Sequence, residues 1–143
     1  MSQEERSAYI GLLVNIFVDV LMIWCIWDLH RDGAFSGADA PQVWARTVLW
    51  VIPMAIVGTV SLSLVAKAMW PEKGPTSDER DQRYHLRGMA TTMVFATFGI
   101  LGGIIALALG STMLTALNII FFSMCASALA GDCVRILSYR VWG

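Results

Sequence analysis

From Gly88 to Gly131 the chain contains no Asp, Glu, Lys or Arg. A helix on the surface of a water-soluble domain does not stay uncharged over such a length, because its outer face must meet water. The pattern recurs: residues 47–66 carry no charge, and residues 7–27 hold a single charged side chain, Asp19. Charged residues make up 15% of the 143 positions, against about 25% in soluble domains. They sit in short clusters between the apolar runs, and runs of this kind predict helices that cross a lipid bilayer.

The same distribution excludes other classes. A nucleic-acid-binding domain needs a basic excess, and the formal net charge here is −1. The three cysteines, Cys25, Cys125 and Cys133, all fall in apolar segments and are too few for a secreted disulfide framework. With 57% hydrophobic residues the chain is too apolar for disorder.

About 20 helical residues cross the roughly 30 Å of hydrocarbon. The first span runs from about Tyr9 to Trp27, and the segment 28–44 forms an extramembrane loop. The second covers about Ala45 to Met69 and stops at Trp70-Pro71; the segment 70–87 follows it. The long third run divides at Gly110-Ser111-Thr112 into spans over 88–109 and 112–134. Gly110 suits the position after a helix end, and Ser111 or Thr112 suits the N-cap of the next helix. The expected fold is therefore all-α: one polytopic membrane domain, 1–143, with four transmembrane helices and the last two in a tight hairpin. A cleaved signal peptide competes for the first span, with Ala38-Asp39-Ala40 imitating a cleavage site. The apolar run is too long for that role and the imitation lies well beyond its end, so the span is read as retained. In the second span Pro53 has no N–H for the Leu49 carbonyl, which predicts a kink.

Basic residues orient the chain. Arg6, Lys67, Lys73, Arg80, Arg83, Arg87, Arg135 and Arg140 fall on one side, against Arg31 and Arg46 on the other. That bias predicts an inner-membrane protein with both termini in the cytoplasm. Trp24, Trp27 and Trp44 then mark the outer interface, and Tyr9, Trp70, Tyr139 and Trp142 the inner one; Trp50 alone falls inside a span. His30 and His85 lie about a bilayer apart, so they cannot be paired haem ligands within one subunit. With no Cys-x-x-Cys or His-x-x-x-His spacing, neither metal nor cofactor is expected.

Asp19 is the residue that the membrane reading leaves unexplained. An ionised carboxylate at mid-span costs about 3 kcal/mol on insertion scales. Asn15 lies one turn earlier on the same face and can share a polar pocket with it. Asn118, Cys125 and Asp132 recur every seven residues and form a stripe on the fourth span, with Asn118 nearest Asp19 in depth. Asp19, Asn15 and Asn118 are thus the candidate proton, ion or assembly site. Asp132 is read as the ion-pair partner of Arg135, and Cys125 as a packing residue. Gly99 and Gly103 on the third span, and Ser123, Ser127 and Gly131 on the fourth, are candidates for close helix packing, either within the hairpin or against a second subunit.

In the segment 70–87, Thr76 and Glu79 form a capping box that starts a helix at Ser77. Nothing interrupts it before the third span, so the third helix is expected to extend into the cytoplasm. Arg80, Arg83 and Arg87 lie near one face and are candidate contacts for lipid phosphates or a cytoplasmic partner. The run Asp78-Glu79-Arg80-Asp81, followed by Arg83 and a span opening near Gly88, resembles an uncharacterised prokaryotic family of small integral-membrane proteins. The resemblance implies a small membrane protein and assigns no catalytic residue. The layout of four spans with one acidic residue in the first also resembles the small multidrug-resistance transporters, in which that acid binds protons and cationic substrates and two subunits assemble. The long cytoplasmic segment departs from that plan, and the acid here is Asp rather than Glu.

Two functional readings follow. One is a non-enzymatic membrane protein, a homo-oligomer with a dimer favoured, serving a structural or accessory role and touching lipid or a protein partner. The other is a proton-coupled transporter or ion pathway centred on Asp19. A membrane enzyme would need a nucleophile and a base converging at one depth, and no such set is present in the sequence.

Overall fold

The computed structural model describes residues 3–69 and 79–142. Four helices account for nearly all of them: α1 Gln3–Arg31, α2 Ala40–Met69, α3 Glu79–Ala108 and α4 Met113–Trp142. Each is long and apolar enough to cross a membrane. At 1.5 Å per residue they run to about 45 Å, longer than the hydrocarbon layer itself.

The extra length changes the first loop. α1 continues through Asp28 to Arg31 and α2 begins at Ala40, so both helices extend into the segment 28–44 and leave 32–39 between them. Charge marks where an apolar span ends, not where the helix ends. His30 and Arg31 suit the last turn, where the helix dipole favours cations. The helix stops at Gly33, whose φ of 70° is costly for a residue with a Cβ. There the Ala34 N–H bonds the Leu29 carbonyl at 3.0 Å and the Gly33 N–H bonds that of His30 at 3.2 Å, a Schellman closure. Pro41 in the first turn of α2 needs no donor partner. α2 itself runs unbroken through Pro53.

Gly110 closes α3 in the same way, with φ 85° and the bonds Ser111 N–H to Ala106 O (3.0 Å) and Gly110 N–H to Leu107 O (3.0 Å). Thr112 then caps α4: its Oγ1 accepts from the Thr115 N–H at 3.2 Å. α4 continues to Trp142, past the expected end at 134. The Thr76 capping box and the helix start at Ser77 lie outside the described residues; α3 is described from Glu79 and is continuous to Ala108.

α1 and α4 form the central pair. α3 packs along α4, α2 packs along α1 and reaches the start of α4, and α2 and α3 do not touch among the described residues. Toward the α1–α2 loop Met22, Trp44 and Val51 make a buried cluster joined by Phe121 and Phe122. Trp44 is buried there and meets Phe121 edge-on at 5.8 Å between ring centres. It is therefore a core residue and not the interface marker that its position at the end of an apolar run suggests; Trp24 and Trp27 are exposed as expected.

Along α3 and α4, glycines let the backbones approach. A Cβ on Gly88 would stand 2.9 Å from the Gly131 carbonyl oxygen, and one on Gly131 would stand 3.0 Å from that of Gly88. Gly99 sits directly on Ser123, and a Cβ on Gly103 would come 3.2 Å from the Ala116 carbonyl. Ser127 is buried and donates to the Met124 carbonyl at 2.6 Å. The outward faces are largely apolar, with Trp50, Phe98 and Leu109 strongly exposed. That is the inverse of a soluble fold.

Candidate functional site

The polar stripe of α4 lies where α1 and α2 meet it, and each of its members has a partner on one of those helices. At the level nearest the chain termini, the Asn15 side-chain amide donates to Asp132 Oδ2 at 3.0 Å. Asp132 Oδ1 faces Arg135 Nη1 at 3.6 Å, and both side chains are nearly buried, at 13% and 12% exposure. Gly11, one turn before Asn15, leaves room for this carboxylate: a Cβ there would stand 2.8 Å from Oδ2. α1 thus offers a notch and a donor to a carboxylate that α4 supplies.

One turn further along α1, the Asp19 carboxylate stands beside the Cys125 thiol of α4. At the level farthest from the chain termini the Trp44 indole Nε1–H donates to Asn118 Oδ1 at 2.9 Å. Two interhelical hydrogen bonds, with the Asp19–Cys125 contact between them, therefore connect α4 to its neighbours at three depths.

This arrangement separates the residues that the sequence grouped. Asn15 turns to Asp132 and not to Asp19. With Cys125 opposite Asp19, Asn118 lies another seven residues toward the start of α4, a rise of about 10 Å, and its oxygen accepts from Trp44. Asp19, Asn15 and Asn118 are three rungs of one seam rather than one pocket. The Asp132–Arg135 pair is present, and Asp132 gains the second partner that spacing on one helix could not reveal. The seven-residue stripe was the available signal for Cys125 and Asp132 as partners; the register of α1 against it was not.

At the terminal end of the bundle, Arg80 Nε donates to the Tyr84 hydroxyl at 3.1 Å, and its guanidinium stands 5.9 Å from that ring centre. Tyr84 meets Tyr139 edge-on at 4.9 Å. Arg83 and Arg87 are exposed. Arg140 donates to the Tyr9 hydroxyl at 3.2 Å, which ties α4 to α1 beyond the seam. Among the described residues no group of three His, Cys, Asp or Glu side chains converges to hold a metal ion.

Chemically, the seam offers two carboxylates, a thiol, two amides, an indole N–H and one guanidinium, most of them already bonded to each other. In hydrocarbon such pairs hold helices at a fixed rotation and height, because a slip strands both members without water. Compared with known proteins, the chain matches no family model, no curated protein and no solved structure.

Proposed function

We propose that this chain is a small, non-enzymatic, homo-oligomeric protein of the inner membrane with a structural or accessory role. Both termini and the start of α3 face the cytoplasm in this reading. There Arg83 and Arg87, with Arg80 resting on Tyr84, meet lipid phosphates or a protein partner. The observation that carries the proposal is the pairing of the seam: Asn15 and Asn118 each hydrogen-bond a residue of the same chain, and Asp19 lies against Cys125 of that chain. Polar groups closed on one another fix a fold more readily than they pass a substrate. The acidic-Glu-Arg-Asp resemblance around Asp78 to Asp81 agrees with a small membrane protein and adds no chemistry to it.

A second reading rests on a different observation: Asp19 and Asp132 are two carboxylates on one seam, with Asn15 between them. That order of titratable groups is what a proton-coupled path would use. One experiment separates the two. The purified chain is reconstituted in liposomes under a pH gradient, with an internal pH-sensitive dye, beside Asp19→Asn and Asp132→Asn. The structural reading expects the parent to leak protons no faster than empty liposomes. A parent flux that falls at least tenfold in Asp19→Asn overturns it and establishes the transport reading.

A further inference from the structure

Trp50 has no part in the seam. It lies six residues beyond Trp44 on α2, about 9 Å deeper along the helix. Its neighbour Val51 packs in the cluster with Met22, one turn from the level of Asp19. Trp50 is therefore within the hydrocarbon and not in an interfacial belt. Its side chain is 76% exposed, and its indole N–H has no partner among the described residues. Tryptophan N–H groups removed from water ordinarily find an acceptor.

An acceptor of the complementary kind lies beside it. Pro53 has no N–H, so the Leu49 carbonyl lacks the donor that the helix would otherwise supply. Leu49, Trp50 and Pro53 are all exposed, on the side of α2 that turns away from α1. A donor and an acceptor thus stand within one turn on an otherwise apolar face, where acyl chains can bond neither. They cannot meet on one helix, since the carbonyl points along the axis while the indole projects outward. A second copy inserted in the same orientation presents the same two groups at the same depth. A two-fold axis along the membrane normal then makes both bonds at once, each indole to the other chain's carbonyl. Val57, Ser61 and Leu64 continue the stripe below Trp50 and are exposed. α3 does not touch α2, so the chain leaves this face uncovered by its own helices.

We propose that the α2 face carrying Trp50 and Pro53 is the surface that binds a second copy of this chain, through reciprocal hydrogen bonds from the Trp50 indole to the Leu49 carbonyl. This rests on the homo-oligomeric reading above and gives it a location.

The test uses the full chain, labelled with donor and acceptor dyes, in liposomes over a range of protein-to-lipid ratios. The parent is expected to dimerise. Trp50→Phe keeps the ring and removes the N–H, and Pro53→Ala returns a donor to the Leu49 carbonyl. Each is expected to raise the dissociation constant about tenfold. The double variant should be no weaker than either alone, because both break the same bonds. As a second measurement, Val57→Cys should give an oxidative cross-linked dimer that neither the parent nor Thr97→Cys, on the outward face of α3, gives. A parent that dimerises while both variants retain its affinity and Val57→Cys fails to cross-link overturns this surface and leaves the oligomer intact. A parent that stays monomeric at every ratio overturns both and assigns the face to lipid.

Discussion

Against α3, α4 sets Gly131, Ser123 and Ala116, and the answering positions are Gly88, Gly99 and Gly103. Against α1 it sets Asp132 and Cys125, and the answering positions are Asn15 and Asp19. One helix is held on two sides by different physics. The glycine side has no hydrophobic driving force in lipid, since acyl chains are as apolar as the side chains they replace; it is stable because backbones at close range gain dispersion contacts. The polar side gains little per bond but penalises every other register. The first seam supplies adhesion and the second supplies address.

That division is most exposed to attack at Gly131. A larger side chain there must push α3 away, because it meets the Thr92 hydroxyl and, beside it, the Gly88 backbone carbonyl, which cannot turn aside. Gly131→Leu should cost about 3 kcal/mol or more of folding stability, at or beyond the upper end of overpacking penalties. Gly102, alongside the same seam, is the control: a Cβ there meets Ile119 at an ordinary 3.6 Å. Gly102→Ala should be neutral or stabilising by about 0.5–1 kcal/mol through helix propensity. Denaturation of the helical signal by sodium dodecyl sulfate in mixed micelles measures both. Equal effects at the two glycines would remove the distinction between a tight seam and a merely small-residue one.

The two seams also differ in how far they were legible beforehand. The Gly99-x-x-x-Gly103 pair and the line through Ser123, Ser127 and Gly131 carry their meaning within one helix, because small size acts the same way whatever lies opposite. The Gly110 turn and the Thr112 cap were readable for the same reason, their chemistry being complete within a few residues. A polar side chain is different, since its role is set by what reaches it from another helix. Asn15 and Asp19 are neighbours on α1, yet α4 arrives at a height that gives Asp132 to one and Cys125 to the other. Trp44 illustrates the same limit. A tryptophan at the end of an apolar run serves as an interface anchor or as a core residue, and only Phe121 and Asn118 decide which. The helices run several residues beyond the apolar spans, through Asp28 at the end of α1 and past Val134 in α4, because charge ends an apolar run without ending helical hydrogen bonding.

The polar seam predicts a smaller effect with a distinct signature. Asn15→Leu keeps volume and removes the amide bond to Asp132, which should cost about 0.6–1.7 kcal/mol by the range found for interhelical hydrogen bonds in membranes. Gly11→Ala should cost a similar amount, because the new methyl displaces the Asp132 carboxylate that Asn15 holds. If both act through that carboxylate, their effects overlap. The double variant should then fall short of the sum by at least about 0.5 kcal/mol in the same denaturation assay. Strict additivity would mean that α1 is held by its packing alone and that the seam specifies nothing.

The smallest expected effect lies at the rung farthest from the chain termini. Trp44→Phe preserves an aromatic edge against Phe121 and removes the indole N–H, leaving the Asn118 oxygen without its donor. Asn118 is only part-buried and lies near the start of α4, toward one end of the bundle, so most of the lost bond should be recovered by hydration. The stability cost should stay below about 1 kcal/mol, less than for Asn15→Leu. A backbone measure sharpens the point: amide exchange should quicken in the first turns of α2, near residues 40–48, and stay unchanged in α3. That localisation follows because α2 is held to α4 chiefly around Trp44, whereas α3 depends on glycine contacts that the substitution does not touch. Faster exchange spread through α3 as well would show that adhesion and address are one cooperative property of α4, not two.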